Sequence, residues 1–197
     1  LQQNWDGPAV HLQKKKDKQL SAEGYRINHT GNQVTITSPT DQGLLYAAYH
    51  LIRLQQTQEW DKTTLPIVEN PVFPIRILNH WDNLDGTIER GYAGKSLWNW
   101  EELPAILSPR YEIYARANAS IGINGTVLNN VNASPQILSA PYLQKVKSLA
   151  DAFRPYGIKV YLSVNFASPM VLDSLETADP LNKEVIRWWK NKVKEIY

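Results

Sequence analysis

Apolar segments of strand length alternate with helix-like segments from Ile75 to Tyr197. This alternation is typical of βαβ units, in which neighbouring strands run parallel and helices cover the sheet. Polar, Asn-rich stretches follow all three apolar segments, and folds of this type gather functional side chains at such strand ends. The predicted strands are 75–79, 123–128 and 158–164, and the predicted helices are 101–119, 141–156 and 180–197.

Length separates two possible architectures for this region. The chain has 197 residues, whereas a (β/α)8 barrel needs about 250 residues, so three of the eight units fit. An incomplete barrel leaves two open strand edges that have to be covered. The sequence therefore predicts either the first three units of a TIM (β/α)8 barrel, truncated, or a small open α/β domain. A start without Met and an end inside a helix-like segment favour a piece of a longer protein.

The region before this alternation is predicted to be a small α/β domain, a hairpin plus a helix. Two β-rich runs, 25–27 and 34–37, flank the pair Gly31-Asn32, and both residues of that pair tolerate the positive φ of a tight turn. Helical spacing follows over 44–54, where Thr40 or Asp41 can cap the first turn.

A proline-rich stretch separates the two regions. Pro66, Pro71 and Pro74 stiffen the chain there, as is typical of a connector. The predicted organisation is therefore an N-terminal α/β domain at 1–65, a linker at 66–74 and a partial barrel at 75–197.

Composition excludes several kinds of site. The chain has no Cys, which removes disulfides and thiolate chemistry, and its net charge of +2 is too small to indicate nucleic-acid binding. No apolar run reaches the roughly 18 residues of a membrane helix. We find no phosphate-binding or dinucleotide motif and no metal-ligand spacing, so no cofactor and no metal are expected. Seven Trp and ten Tyr supply flat apolar faces with polar edges, which suit sugar recognition.

The segment that follows the first predicted strand resembles the signature of glycoside hydrolase family 67, the xylan alpha-glucuronidases. Residues 76–94 read RILNHWDNLDGTIERGYAG. Further stretches that resemble the family in the same order are NGTVLNNVNA at 124–133, YLSVNFASP at 161–169, TADPL at 177–181 and WW at 188–189. The N-terminal region resembles the α/β domain that precedes the barrel in these enzymes and in beta-hexosaminidases. The resemblance favours the truncated barrel over the open domain.

This resemblance implies an inverting enzyme of xylan degradation that releases glucuronic acid, or its 4-O-methyl ether, from xylo-oligosaccharides. In the family a carboxylic acid protonates the leaving oxygen, and a carboxylate base activates water on the opposite face of the sugar. The resemblance implies that both carboxylates lie beyond Tyr197, so no catalytic residue is expected within the chain and the chain alone is expected to be inactive. Two alternatives stay open: a non-catalytic saccharide-binding module and a beta-hexosaminidase-like glycosidase.

Five residues at the predicted strand ends are the candidate sugar-binding side chains. By resemblance, Trp81 stacks on the uronic acid and Val131 contacts the sugar ring. Asn79, Asn129 and Asn165 end the three strands, and an Asn amide both donates and accepts hydrogen bonds, as sugar hydroxyls require; capping of a loop is the competing role.

Other polar and aromatic residues near these strand ends have structural interpretations. We expect a structural hydrogen bond between His80 and Asp82 and an ion-pair network within the loop that follows. Trp98 and Trp100 are expected to pack in the core, with an aromatic wall or a dimer contact as the alternatives.

The expected partners are oligosaccharides from glucuronoxylan, without nucleic acid or membrane, and a homodimer of the complete enzyme stays open. An exported location, periplasmic or extracellular, is favoured over a cytoplasmic one.

Overall fold

The computed structural model describes residues 8–132 and 134–197. They form two compact units that are interleaved along the chain. The first unit contains the residues up to Arg76 together with Arg116–Ile123, and the second contains Ile77–Ala115 and Asn124–Tyr197. The predicted boundaries at 65 and 75 stay predictions.

A four-stranded mixed sheet forms the centre of the first unit. Its strands, in the spatial order β1-β3-β2-β4, are β1 (Ala9–Lys14), β2 (Tyr25–Thr30), β3 (Gln33–Ser38) and β4 (Ile67–Glu69). Strands β2 and β3 are the predicted hairpin, which their antiparallel register confirms. Gly31 has a φ of +61°, so the turn uses the left-handed conformation that glycine adopts without strain.

Helix α1 (Asp41–Gln56) packs against this hairpin. Thr40 caps it, since the Thr40 hydroxyl accepts a hydrogen bond from the Gly43 N–H at 3.2 Å. The helix itself agrees with the predicted spacing, but its buried face is formed by Tyr46, Ala47, Leu51 and Leu54, whereas Ile52 is exposed.

Two strands of this sheet were not predicted. Strand β1 pairs in parallel with β3, and all six of its residues are exposed, so it has no buried face that an alternating pattern could reveal. Strand β4 lies inside the predicted linker, where buried Ile67 pairs with Ile27 of β2. Three residues next to Pro66 are too few to show a strand period.

The second unit is built on a parallel three-stranded sheet in the order β5-β6-β7. Its strands are β5 (Ile77–Asn79), β6 (Gly125–Val127) and β7 (Lys159–Tyr161). Asn79, Val127 and Tyr161 stand side by side at the carboxyl ends, which confirms the predicted parallel arrangement. The α/β class is therefore confirmed, whereas closure into a barrel stays a prediction.

Four helices connect or follow these strands: α2 (Pro109–Ser120), α3 (Ala140–Phe153), α4 (Ser168–Asp173) and α5 (Lys183–Ile196). Helix α3 agrees with the prediction. A 3₁₀ turn at Arg154–Tyr156 continues it, and Gly157 ends the helical segment as predicted.

The predicted start of α2 at residue 101 was wrong. Pro109 begins the helix, because a proline inside it would remove a backbone hydrogen bond and clash with the preceding turn. Helix α5 begins at Lys183 rather than at Pro180, with the Asn182 side chain accepting from the Glu184 N–H at 2.8 Å. Helix α4 is too short to show a helical period and was not predicted.

The core of the second unit is rich in aromatic side chains. Trp98 lies at its centre, with ring centroids 5.3 Å from Tyr114, 5.8 Å from Tyr111 and 5.8 Å from Phe153. Its indole N–H donates to the Leu128 carbonyl at 2.9 Å. Within the described residues, no helix combines the length and the apolar character that crossing a membrane requires.

Candidate functional site

The loops at the carboxyl ends of β5, β6 and β7 form one edge of the second unit, here called the rim. It consists of residues 79–83, 128–132 and 162–166. Because the three strands are parallel and in register, these loops all leave the sheet at the same edge, the one formed by the carboxyl ends of the strands. All five candidate sugar-binding residues lie in the rim.

Trp81 presents an open indole on a fixed backbone. Two hydrogen bonds hold the main chain around Trp81. The His80 N–H donates to the Val127 carbonyl at 3.1 Å, and the Glu89 N–H donates to the Trp81 carbonyl at 2.8 Å. The residue is nevertheless 40% exposed, while both adjoining residues are more deeply buried. An exposed aromatic face with an immobilised main chain is suited to stacking on a flat ligand.

Asp82 anchors the long loop that follows Trp81. Its carboxylate is 2% exposed and accepts from the Ser96 hydroxyl at 2.6 Å and the Leu97 N–H at 3.0 Å. Burial works to raise the pKa of Asp82, but His80 and these two donors outweigh it and hold the pKa below its ordinary value. Asp82 is therefore an ionised structural carboxylate, and neutral donors from the far end of the loop satisfy it.

The loop between these points is held mainly by hydrogen bonds, which departs from the predicted ion-pair network. Asp85 accepts from the N–H and the hydroxyl of Thr87, at 2.9 and 2.7 Å. Glu89 accepts from the Tyr92 hydroxyl at 2.9 Å. The acidic residues of this loop act chiefly as acceptors for neutral groups.

His80 belongs to a line of polar side chains that runs into the unit. Its Nε2 lies 2.7 Å from the Tyr114 hydroxyl, which in turn lies 2.9 Å from the Thr126 hydroxyl. On its other side, His80 Nδ1 lies 3.7 Å from Asp82 Oδ1, longer than a hydrogen bond. Burial raises the pKa of the Tyr114 phenol, the bond to Thr126 opposes it, and the Asp82 charge adds to the rise. The main hydrogen bond of the His80 ring is thus with Tyr114, where Asp82 was the expected partner.

Asn83 and Asn130 connect the loop after β5 with the loop after β6. The Asn130 amide N–H group donates to Asn83 Oδ1 at 3.2 Å and to the Glu89 carbonyl at 3.1 Å. Asn83 donates to the same Glu89 carbonyl at 2.8 Å. Sequence reasoning missed both roles. The only signal was the recurrence of Asn after each strand, which does not separate a ligand-facing amide from one that joins two loops.

Asn129 joins the loop after β6 to the loop after β7. Its amide N–H donates to the Ser163 carbonyl and its amide oxygen accepts from the Ser163 N–H, both at 2.9 Å. The side chain is 2% exposed. This reciprocal pair makes Asn129 a support of the rim, and direct contact with a sugar stays a prediction.

The other candidate residues lie at or near the surface. Asn79 is exposed at the last position of β5, and Val131 is exposed after β6. Asn165 is half-buried, and its side-chain oxygen accepts from the Ala167 N–H at 2.9 Å. Phe166, which was not singled out, is also exposed in the same loop.

Trp98 and Trp100 are both buried within the second unit. This confirms the core role and removes the aromatic wall and the dimer contact as roles for them. In the part of the chain that the structure describes, no group of three or more His, Asp or Glu side chains could hold a metal ion.

Comparison with known proteins identifies the family. Residues 53–197 match the sequence model of the glycosyl hydrolase family 67 middle domain. The chain belongs to glycosyl hydrolase family 67. Residues 2–69 match domain 2 of glycosyl hydrolase family 20, so the N-terminal region of this family 67 chain is similar to the domain of another glycosidase family. The resemblance to family 67 drawn from the sequence is confirmed.

Curated relatives of this chain include two proteins named as alpha-glucuronidases. The chain is 41% identical over 180 residues to a probable alpha-glucuronidase A of Neosartorya fischeri, which covers 91% of this chain and 21% of the fungal protein. It is 41% identical over 184 residues to an alpha-glucuronidase of Hypocrea jecorina, covering 90% and 22%. The chain therefore spans about a fifth of the length of these relatives.

Solved structures with a similar fold include a GH138 enzyme and a beta-N-acetylhexosaminidase. A GH138 enzyme targeting pectin rhamnogalacturonan II superposes with a TM-score of 0.61 at 15% identity, over 94% of this chain and 24% of that one. A beta-N-acetylhexosaminidase from Bacteroides fragilis superposes with a TM-score of 0.53 at 15% identity, over 94% and 42%. At such identities the likeness concerns the fold alone.

Proposed function

We propose that this chain supplies the first part of the sugar pocket of an inverting alpha-glucuronidase, which releases (4-O-methyl-)glucuronic acid from xylo-oligosaccharides. Membership of family 67 and curated relatives named alpha-glucuronidase support this reaction. The observation that carries the proposal is Trp81, which is exposed at the carboxyl edge of a parallel sheet while hydrogen bonds hold its main chain in place.

Each rim residue takes a role that suits its surroundings. Trp81 stacks its face on the uronic acid, and Val131 gives an apolar contact with the ring. Asn79 and Asn165 offer amides to the hydroxyls. Asn129, whose amide groups already bind Ser163, acts through the position of its loop.

The larger architecture belongs to the same proposal. The three strand–helix units of residues 75–197 form the first part of a (β/α)8 barrel, and residues 1–65 form the accessory domain before it. Active sites of such barrels lie at the carboxyl ends of the strands, which is where the rim lies. The partners are oligosaccharides derived from glucuronoxylan, and a homodimer of the complete enzyme is included in the proposal.

We assign neither the acid nor the base to the described rim. The general acid of an inverting glycosidase must hold its proton near neutral pH, at a carboxyl distance of about 6.5–9.5 Å from the base. Asp82 has a lowered pKa and its Oδ2 accepts from both Ser96 and Leu97, so we do not assign it the role of the acid. Both carboxylates are proposed to lie in sequence outside these 197 residues.

Release of glucuronate from aldouronic acids tests the proposal. A protein of the length of the fungal relatives that contains this sequence should release glucuronate, and the 197-residue chain alone should release none. Release of N-acetylglucosamine from a chitobioside in place of glucuronate would favour the hexosaminidase-like alternative. Binding of xylo-oligosaccharide by the short chain, with a silent longer protein, would favour a binding module.

The variant Trp81→Ala tests the residue that carries the proposal. Loss of the stacked face should weaken binding of an aldouronic acid by roughly 1–3 kcal/mol in calorimetry, the scale for burying a large side chain. Trp60→Ala is the matched control, because Trp60 is a half-buried Trp of the first unit and its ring packs against that of His29, 5.7 Å away between centroids. Equal binding by the Trp81 variant and the control would remove Trp81 from the pocket.

A further inference from the structure

Asn130 is buried between the two loops that carry Trp81 and Val131. It is 3% exposed, and its backbone N–H donates to the Asp82 carbonyl at 2.8 Å. Its side-chain N–H group reaches Asn83 and the Glu89 carbonyl, and its side-chain oxygen accepts from the Asn132 N–H at 2.9 Å. One residue thus binds both loops through its main chain and through both ends of its amide.

The peptide on which these bonds converge is itself an unusual one. Glu89 has a φ of +59°, the left-handed region that residues other than glycine rarely adopt. Its carbonyl accepts from both Asn83 and Asn130, and its N–H donates to the Trp81 carbonyl. Such a conformation persists where its surroundings determine it fully, and here two Asn amides do so.

The main chain of Trp81 is connected to Asn130 through this peptide. Asn130 holds Glu89, Glu89 holds the carbonyl of Trp81, and the Asn130 N–H holds the carbonyl of the next residue, Asp82. On the other side, Asn130 directly precedes Val131. The Asn130 side-chain oxygen accepts from the N–H of Asn132, the residue that follows Val131. The main chains around Trp81 and Val131 are therefore both tied to Asn130, through its backbone N–H and through its amide side chain.

We propose that Asn130, assisted by Asn83, is a positioning residue that fixes the spacing of Trp81 and Val131 and so preorganises the rim for a pyranose ring. This inference rests on the proposed function, because it concerns how the same rim binds its sugar. A rigid rim binds without having to order its side chains first, which lowers the entropic cost of association.

A double-mutant cycle tests this coupling in the full chain. Binding of an aldouronic acid is measured by calorimetry for the wild type, Asn130→Ala, Trp81→Ala and the double variant. We expect Asn130→Ala to weaken binding roughly tenfold, about 1.4 kcal/mol, in the wild type. In the Trp81→Ala background it should have less than half of that effect in free-energy terms, since the group that it positions is absent.

Asn124→Ala is the matched control. Asn124 is also a buried Asn and directly precedes β6, so it lies at the opposite end of the strand from the rim. It should lower the midpoint of thermal unfolding without changing the binding of the aldouronic acid. If Asn130→Ala does not fold, Asn83→Ala replaces it in the cycle, because Asn83 binds the same Glu89 carbonyl from a less buried position.

The outcomes separate the two proposals. If Trp81→Ala leaves binding unchanged and the longer protein releases no glucuronate, the proposed function fails. If Trp81→Ala weakens binding and Asn130→Ala has the same effect with and without Trp81, the function stands and the positioning role is overturned. Weaker binding by the Asn124 variant, equal to that of the Asn130 variant, would also overturn it.

Discussion

At the scale of single residues, the buried charge of Asp82 gives a prediction for stability. In Asp82→Asn the hydrogen bonds from the Ser96 hydroxyl and the Leu97 N–H lose their ionic acceptor. We expect the variant to be less stable by roughly 1–3 kcal/mol near neutral pH, the range for a hydrogen bond to a buried charged group. Urea unfolding of the variant and the wild type measures the difference.

The difference for Asp82 should depend on pH in one direction. The pKa of Asp82 in the folded chain lies below the ordinary value of 3.8. Its contribution is therefore fully present above that ordinary value and is lost as the pH falls through the lower, folded value. The unfolding free energies of the wild type and Asp82→Asn should converge in acid. A gap that widens on acidification would contradict the assignment.

The residue types at the rim were predictable, but their division of labour was not. Trp81 is exposed at a strand end, where the alternation of strands and helices placed it. Asn129 and Asn130 are adjacent, yet one binds Ser163 and the other binds Asn83 and Glu89. Their partners come from loops distant in sequence, and the periodicity of the chain carries no information about such contacts.

At the scale of elements, helix α1 tests how much a single cap contributes. The Thr40 hydroxyl accepts from the Gly43 N–H and also donates to the Ala22 carbonyl at 2.5 Å. Thr40→Ala removes both bonds and should lower the free energy of unfolding by about 1–2 kcal/mol. Thr40→Ser keeps the hydroxyl and serves as the control in denaturant unfolding. Equal loss in both variants would assign the effect to the methyl group rather than to the cap.

The element boundaries show which sequence signals dominate. Thr40 and Gly157 each end or begin a helix where their chemistry predicts. Pro109 overrides an apolar pattern that begins earlier, because its ring is compatible with the first turn and not with the interior. Strand β4 is defined by pairing with β2 alone, so no local signal at residues 67–69 identifies it.

At the scale of the whole molecule, the chain leaves its first unit and returns to it. The parallel sheet was predictable, because each of its strands is followed by a helix that runs back. The return was not, since it depends on contacts of residues 116–123 with the first unit that are remote in sequence. Three strands cannot by themselves show whether a sheet closes into a barrel.

Arg76 is the residue that makes this return measurable. Its guanidinium donates to the Gly122 carbonyl at 2.5 Å and the Phe73 carbonyl at 2.6 Å, and it forms an ion pair with Glu23 at 2.5 Å. All these groups belong to the first unit, and its side chain is 19% exposed. The fork of an Arg can reach several acceptors at once, which the single ammonium of a Lys cannot. Arg76 thus joins three segments that are far apart in sequence.

We therefore expect Arg76→Lys to be less stable by roughly 2–4 kcal/mol, because several charge-assisted bonds of a largely buried group are lost together. Arg154→Lys is the control, since its ion pair with Asp151 lies on the surface and should contribute less than about 1 kcal/mol. Hydrogen exchange locates the effect: amides of residues 118–123 should exchange faster in Arg76→Lys, and those of β6 and β7 should change less. Uniform acceleration across both units would show that Arg76 stabilises the chain globally instead of holding the returning segment.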